Sequence, residues 1–520
     1  MLRKVKAYLL GFALVLPAIA AGQSNGVWLE SLDKNRADAM QLAAGSVSYH
    51  TALWPNYTLD ALPEKDTINL LPLNLSKKAG KVNFRIIPII QAMGGYESQN
   101  FKANDQKNTR GFFYQIGGGA ALLVGNQKNW EFFVSGYYEA QDNPGYIHKY
   151  TLNTGMIPSM GIAHARGKGT EFTRWDGYFR LYPTSFLTFE LGRGKQFIGE
   201  GYRSLLVSDF ASPGNYFRLN VNVWHLNFSA TWLSLDDASE NPSGQWQYRR
   251  KYMARHYLSW NISKSVNVGF FETVIWQATN AEVYRGFDVH YANPLALYRP
   301  VEFATGSADN ALMGLQAKVT FGKYWTVYGQ FVLDEFLLSE MRSASGWWGN
   351  KYGYQIGIKR NGERTFLRAE FNAVRPYTYS HGSVKQNYAH LHESMAHPLG
   401  ANFYEVLGQV AHRFGSFFRV EFLGLYYVKG DDPEGVNNGG DIFKSYVNPE
   451  KVYDNYIGQG IRREVFLGRL SGHYRFNDVL NLEVVGGFQL RLESIEGVNE
   501  TASMVYLGVT SRIWNRNTDF

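Results

Sequence analysis

The sequence contains no cysteine. That excludes disulfides, thiolate zinc sites, iron–sulfur clusters and a lipid-modified N-terminal cysteine. Beyond the first 22 residues there is no apolar run approaching the ~20 residues that a membrane-spanning helix requires. Charge is sparse, at 19% Asp, Glu, Lys and Arg together. The formal net charge of +7 includes Arg3, Lys4 and Lys6 near the start, and the remainder mixes both signs, so nucleic acid is not an expected partner. No phosphate-cradling Gly-rich loop, nucleophile elbow or H-E-x-x-H helix occurs, so no catalytic residue and no cofactor are expected.

The beginning of the chain reads as an export signal. Arg3, Lys4 and Lys6 form a basic region, residues 7–20 are almost wholly apolar, and Ala18, Ala20, Ala21 and Gly22 supply small residues for cleavage. Residues 1–22 are therefore expected to be removed. The chain as a whole is rich in aromatics, at 16%, and in glycine, with 53 residues. Mean hydropathy nevertheless stays at -0.29. A transmembrane β-barrel has this balance, because aromatic girdles and a lipid-facing band coexist with a polar lumen.

Strict alternation supports that reading. Phe217, Leu219, Val221 and Val223 oppose Arg218, Asn220 and Asn222. Leu367, Ala369, Phe371 and Ala373 oppose Arg368, Glu370 and Asn372. Phe488, Leu490 and Leu492 oppose Gln489 and Arg491. About eighteen such segments run from residue 83 to residue 514, joined by connections that alternate between short and long, as in outer-membrane barrels. The expectation is an all-β, antiparallel up-and-down barrel over residues 83–520, with residues 23–82 as a partly helical periplasmic plug. Within that plug, residues 28–44 place Leu29, Ala37, Met40 and Leu42 at helical spacing. The last strand is expected to place Val505, Leu507, Val509 and Ile513 outward, with Phe520 as the closing aromatic of an assembly signal. The plug is expected to block free conduction.

Two clusters could ligate metal. His381, His390, His392 and His397 precede Asn402 and Glu405, but their spacing matches no compact motif, and a loop tethered by imidazole hydrogen bonds explains them better. Asp431, Asp432, Glu434 and Asp441 read as a solvated loop ahead of a calcium site. No metal is expected. Trp347 and Trp348 fall in a long connection, where they can stack on sugar faces or anchor at the interface.

Several stretches resemble the Wzi-type capsule-assembly outer-membrane proteins. Residues 192–209 (GRGKQFIGEGYRSLLVSD), with Ala211 and Pro213, are similar to that family's Ser-Leu-Leu-Leu-Ser-Asp/Asn-x-Ala-x-Pro signature, although Phe210 stands where Asn is usual. Residues 291–294 (YANP), 299–303 (RPVEF) and 306–310 (GSADN) form a second block. Residues 379–381 (YSH), 387–390 (NYAH) and 396–403 (AHPLGANF), with the closing 514–520 (WNRNTDF), resemble its Bacteroidetes branch, which includes gliding-motility-associated members. The resemblance implies an eighteen-stranded outer-membrane barrel closed by periplasmic helices. It also implies a lectin-like role in holding capsular polysaccharide at the cell surface.

The expected partners are outer-membrane lipid, a surface polysaccharide and proteins of a surface machinery. The expected sugar site lies where loops 278–309 and 375–401 meet. It would offer Tyr298 and Tyr388 for stacking, Arg299 and His390 as donors and Glu302 as acceptor, with His381, Trp347 and Trp348 contributing. The alternatives to polysaccharide binding are an accessory barrel of a motility, adhesion or secretion complex, and a substrate-specific porin.

Overall fold

The computed structural model describes residues 50–54, 76–79, 82–101, 111–126, 129–240, 246–280, 283–477, 482–511 and 514–520. Within them, 18 antiparallel strands close into one barrel. In chain order the first nine are β1 (Val82–Phe101), β2 (Phe112–Gly125), β3 (Trp130–Asp142), β4 (Gly169–Leu181), β5 (Leu187–Gly194), β6 (Gly214–Val223), β7 (Leu226–Glu240), β8 (Trp246–Asn261) and β9 (Val266–Gln277). The rest are β10 (Asn310–Phe321), β11 (Trp325–Glu335), β12 (Lys351–Asn361), β13 (Thr365–Val374), β14 (Phe403–Phe414), β15 (Phe418–Asp431), β16 (Ile461–Asn477), β17 (Leu482–Ile495) and β18 (Val498–Ser511). Pairing of β18 with β1, from Glu500–Phe101 to Thr510–Gln91, closes the ring and removes the free edges.

Alternation has the expected sense. Phe217 on β6 lies outside, 40% exposed, while its neighbour Arg218 turns inward and meets Glu190 on β5 at 2.5 Å. Glu190 also accepts from Arg180 on β4 at 2.6 Å. On β17, Phe488 and Leu492 face out and Arg491 pairs with Glu493 at 2.6 Å. These water-excluded charges in the wall are thus matched in pairs, which offsets the cost of burying them. Glycine has a particular place in this wall. The ring of Tyr328 lies flat over Gly357 on the next strand, and that of Tyr257 over Gly269, where a Cβ would collide with either ring.

One end of the barrel carries tight turns, such as Trp224–His225 between β6 and β7 and residues 322–324 between β10 and β11. The other end carries the long connections, which contain three helices: α1 (Gly145–Thr154), α2 (Tyr298–Thr305) and α3 (Leu338–Arg342). Helix α1 starts after Pro144 and stops at Gly155, whose left-handed φ of 70° lets its N–H reach the Thr151 carbonyl.

One expectation needs correction. The last strand spans Val498–Ser511 among the described residues and does not include Trp514, and residues 514–520 turn back into the lumen. Phe520 therefore does not close a lipid-facing strand. It packs on Tyr146, Tyr150 and Phe210, with ring centroids 6.2, 4.8 and 5.9 Å away. Among the described residues the lumen is occupied largely by inward-folded long-end connections. The expected leader helix at 28–44 lies outside the described residues. Of the 23–82 segment, residues 50–53 are buried in the lumen, where Thr51 bonds to Glu200 and Lys318.

Candidate functional site

Besides residues 50–53, three pieces of the lumen filling stand out among the described residues: residues 195–213, residues 376–402 and residues 514–520. Leu205, Leu206 and Val207 are almost wholly buried, and the hydroxyls of Tyr379 and Tyr388 donate to the carbonyls of Leu205 and Leu206 at 2.7 and 2.5 Å. The Ser204 hydroxyl accepts the N–H groups of Leu206 and Val207, both at 3.1 Å, and so fixes the turn. Strand side chains take the remaining backbone donors. Glu370 on β13 accepts from the N–H groups of Tyr202 and Arg203 at 2.8 and 3.1 Å, and Gln330 on β11 accepts from Leu205 at 2.8 Å.

Arg203 ties all three pieces to the wall. Its guanidinium reaches Glu405 on β14 at 3.3 Å and Asp519 at 3.2 Å, and Glu405 in turn meets His397 at 2.8 Å. Glu393 is a second knot. It accepts from Ser159 N–H at 2.6 Å and from the N–H and hydroxyl of Ser212 at 2.8 and 2.6 Å, and burial pushes its carboxyl up to about 7. The conspicuous sequence block at 204–213 is thus a structural plug. Below the tail remains a cavity of about 260 Å³, lined by Gln91, Gln115, Tyr146, Gln409, Arg469 and Gln489 among others.

The candidate residues separate into three environments. Tyr388 and His390 belong to the plug. Tyr388 stacks on Tyr379 at 5.6 Å, and His390 accepts the Asp236 N–H at 3.1 Å through Nδ1. Tyr298 lies on the outer face of the wall, buried, with its hydroxyl 2.8 Å from His256. Arg299 and Glu302, on the same helix α2, pair with each other at 2.8 Å. Tyr298 and Tyr388 therefore do not share a surface, although their two loops touch where the Gln386 side-chain amide donates to the Asp309 carboxylate at 3.1 Å.

Trp347, Trp348 and His381 do come together. The indoles are 5.9 Å apart, Trp348 lies 5.2 Å from Tyr446, and His381 meets Tyr446 edge-on at 5.6 Å. The Trp and Tyr446 rings are partly exposed at the long-loop end. Polar groups surround them. The Lys351 ammonium is 4.0 Å from the centre of the Tyr446 ring, the Tyr446 hydroxyl donates to Glu335 at 3.1 Å, and Arg375 donates to the Trp347 carbonyl at 3.4 Å. Hydrogen bonds from Trp348 N–H to Val452 and from Asn455 N–H to Gly346 lock the supporting loops together at 3.0 and 2.9 Å. Burial and the neighbouring Lys351 hold the His381 imidazole below its usual pKa, which favours its neutral form. Tyr446 was not among the sequence candidates. The rule that selects Trp347 and Trp348, an aromatic in a long connection, also covers Tyr446, but the contact between loops 336–350 and 432–460 is a tertiary fact.

The four loop histidines are dispersed. His381 is at the rim, His390 beside Pro213, His392 between Trp246 and Phe443, and His397 on Glu405. Among the described residues no group of three or more His, Asp or Glu side chains is arranged to hold a metal ion.

No protein-family model matches the chain, and no curated protein sequence matches it. Among solved structures it resembles Wzi of Escherichia coli, an outer-membrane protein involved in group 1 capsule assembly and described as a carbohydrate-binding β-barrel. That likeness has a TM-score of 0.52 at 11% identity and covers 93% of this chain and 99% of Wzi. OpdK of Pseudomonas aeruginosa, solved with vanillate, matches at a TM-score of 0.44 and 10% identity over 82% of this chain and 98% of its own. OccAB1 of Acinetobacter baumannii matches at 0.43 and 10% over 82% and 96%. The fold is that of an outer-membrane barrel.

Proposed function

We propose that this barrel binds surface polysaccharide at its long-loop rim and retains it there without chemical change. The observation that carries the proposal is the partly exposed cluster of Trp347, Trp348 and Tyr446, flanked by Lys351, Glu335 and His381, above a filled lumen. Sugar rings offer C–H faces to aromatic rings, and their hydroxyls need donors and acceptors at the edge. The cluster supplies the rings and, in the partly exposed Glu335, an acceptor at their edge, while Lys351 and His381 lie buried beneath them. The Wzi-type sequence blocks and the likeness to a carbohydrate-binding barrel support the same reading. Trp347, Trp348 and His381 are the sequence candidates that enter the proposed site. Tyr298, Tyr388 and His390 act by holding loops in place, and Arg299 and Glu302 lie on the outer wall.

The test is replacement of Trp348 and Tyr446 by Ala in cells of the source bacterium, with surface polysaccharide stained and barrel folding checked by heat-modifiable gel mobility. Reduced retention by a folded barrel is expected. Unchanged retention contradicts the proposal. A porin would instead show solute uptake that depends on the protein, and an accessory barrel a motility or secretion defect with polysaccharide retained.

A further inference from the structure

The long connection 278–309 does not rise from the rim. It folds down over the outside of the barrel. The outward face of β8, β9 and β10 shows this directly. The rung Leu258–Phe270–Leu315 is 40, 40 and 54% exposed, as lipid-facing residues are. Two rungs toward the long-loop end, on the same face, Ala254, Val274 and Ala311 are 0, 0 and 7% exposed. The connection covers them. Trp232 and Trp276 donate their indole N–H groups to the carbonyls of Tyr291 and Gly286 at 2.8 and 3.1 Å.

The intermediate rung carries a polar pair. His256 meets Glu272 at 2.8 Å on this outer face, and both are buried. Tyr298 caps them. Its hydroxyl is 2.8 Å from the far nitrogen of His256, its N–H donates to Glu272 at 3.2 Å, and its ring stacks on the imidazole at 4.1 Å. An uncovered His–Glu pair facing hydrocarbon is costly, so the connection acts as a latch over it.

The latch lies deep. Glu272 is six residues beyond Val266, which starts β9 at the tight-turn end. At ~3.3 Å per residue and a tilt of ~40°, this is roughly 15 Å up an apolar band ~25 Å tall. Leu297 directly precedes Tyr298, and Leu295 is within ~11 Å of it along the chain. Both are exposed, at 57 and 85%, and so is Val289 at 72%. These side chains are as exposed as the lipid-facing Leu258, Phe270 and Leu315, or more so. The Arg299 guanidinium is drawn toward the rim by Glu302, one turn further along α2.

We propose that residues 283–309 form a lipid-inserted flap, latched to the outer wall through His256, Glu272 and Tyr298, with Leu295 and Leu297 among the acyl chains of the outer leaflet. Membrane lipid, not water or a second protein, is the partner of this surface. The chain has no cysteine, so single nitroxide labels can be placed cleanly at Leu295→Cys and Leu297→Cys. Collision rates with oxygen and with a neutral nickel chelate would be measured by spin resonance in phosphatidylcholine vesicles, with heat-modifiable mobility confirming the fold. Leu258→Cys serves as lipid reference and Lys323→Cys as water reference. The oxygen-to-nickel ratio at both leucines should match that at position 258 and exceed that at position 323 several-fold. A nickel-accessible label would place the loop in water, and a label reached by neither reagent would mean a protein covers it. Either result overturns the proposal. Should a leucine label weaken folding, quenching of a bimane at Val289→Cys by brominated lipid gives an independent reading, with no quenching as the contrary outcome.

Discussion

His390 shows how a single side chain is committed to the filled lumen. It sits wholly buried beside Pro213, and burial, with the positive charges of Lys251 and Arg193 nearby, pushes its pKa down from 6.5 to about 3. Its Nδ1 accepts the Asp236 N–H, a role open only to the neutral ring. His390 therefore contributes stability that is fully present above pH 6.5 and lost as pH falls from 6.5 toward 3. At one pKa unit per ~1.4 kcal/mol, the loss at pH 5 is about 2 kcal/mol. His381 and His397, both also held low by burial, act in the same direction. Thermal unfolding in detergent should thus shift to lower temperature between pH 7 and pH 5, and the shift should be smaller in His390→Gln. An equal shift in that variant would remove His390 from the account. The sequence placed His390 in a loop held by imidazole hydrogen bonds. It did not tell that the loop lies inside the barrel, because burial of a polar residue depends on partners such as Asp236 and Pro213, more than 150 positions away.

At the scale of elements, strands were legible and loops were not. A strand's inward and outward residues are written into its own alternation, so Phe217 and Arg218 could be assigned to opposite faces before any partner was known. The path of residues 514–520 is set instead by Asp209, Glu139 and Arg203, which lie far away in the chain. A closing aromatic behind an alternating strand matched an assembly signal, and only the contacts of Phe520 reveal its inward place. Arg516 is the principal tie. It binds Glu139 on β3 at 2.8 Å, and the Glu139 side chain is wholly buried. Replacing Arg516 by Ala strands that carboxylate, at a cost on the order of 3 kcal/mol. The tail should then detach, with increased single-channel conductance in planar bilayers. Adding Glu139→Gln should restore a low conductance. If Arg516→Ala conducts no more than the parent barrel, the tail is not a seal. The Wzi-type block at 204–213 follows the same logic, since it is a packed element held by Gln330, Tyr379 and Tyr388.

For the whole molecule, a closed wall, inward-folded connections and a partly exposed aromatic rim form one arrangement. Among the described residues the wall pairs its strands all the way round, inward-folded connections occupy much of the lumen, and the aromatic cluster lies at the long-loop end. There the loops bearing Trp347, Trp348, His381 and Tyr446 are fixed to one another by the hydrogen bonds from Trp348 to Val452 and from Asn455 to Gly346. Such fixation lowers the ordering cost of binding an extended, flexible chain of sugars. The most direct measurement is a calorimetric titration of the detergent-purified barrel with surface polysaccharide from the source bacterium. Loss of one stacking ring is worth on the order of 1 kcal/mol, or about fivefold in affinity. Saturable binding is predicted for the parent protein, about fivefold weaker in Trp348→Ala and weaker again in the Trp348→Ala/Tyr446→Ala pair. Equal affinity in all three, with each barrel folded, would contradict it.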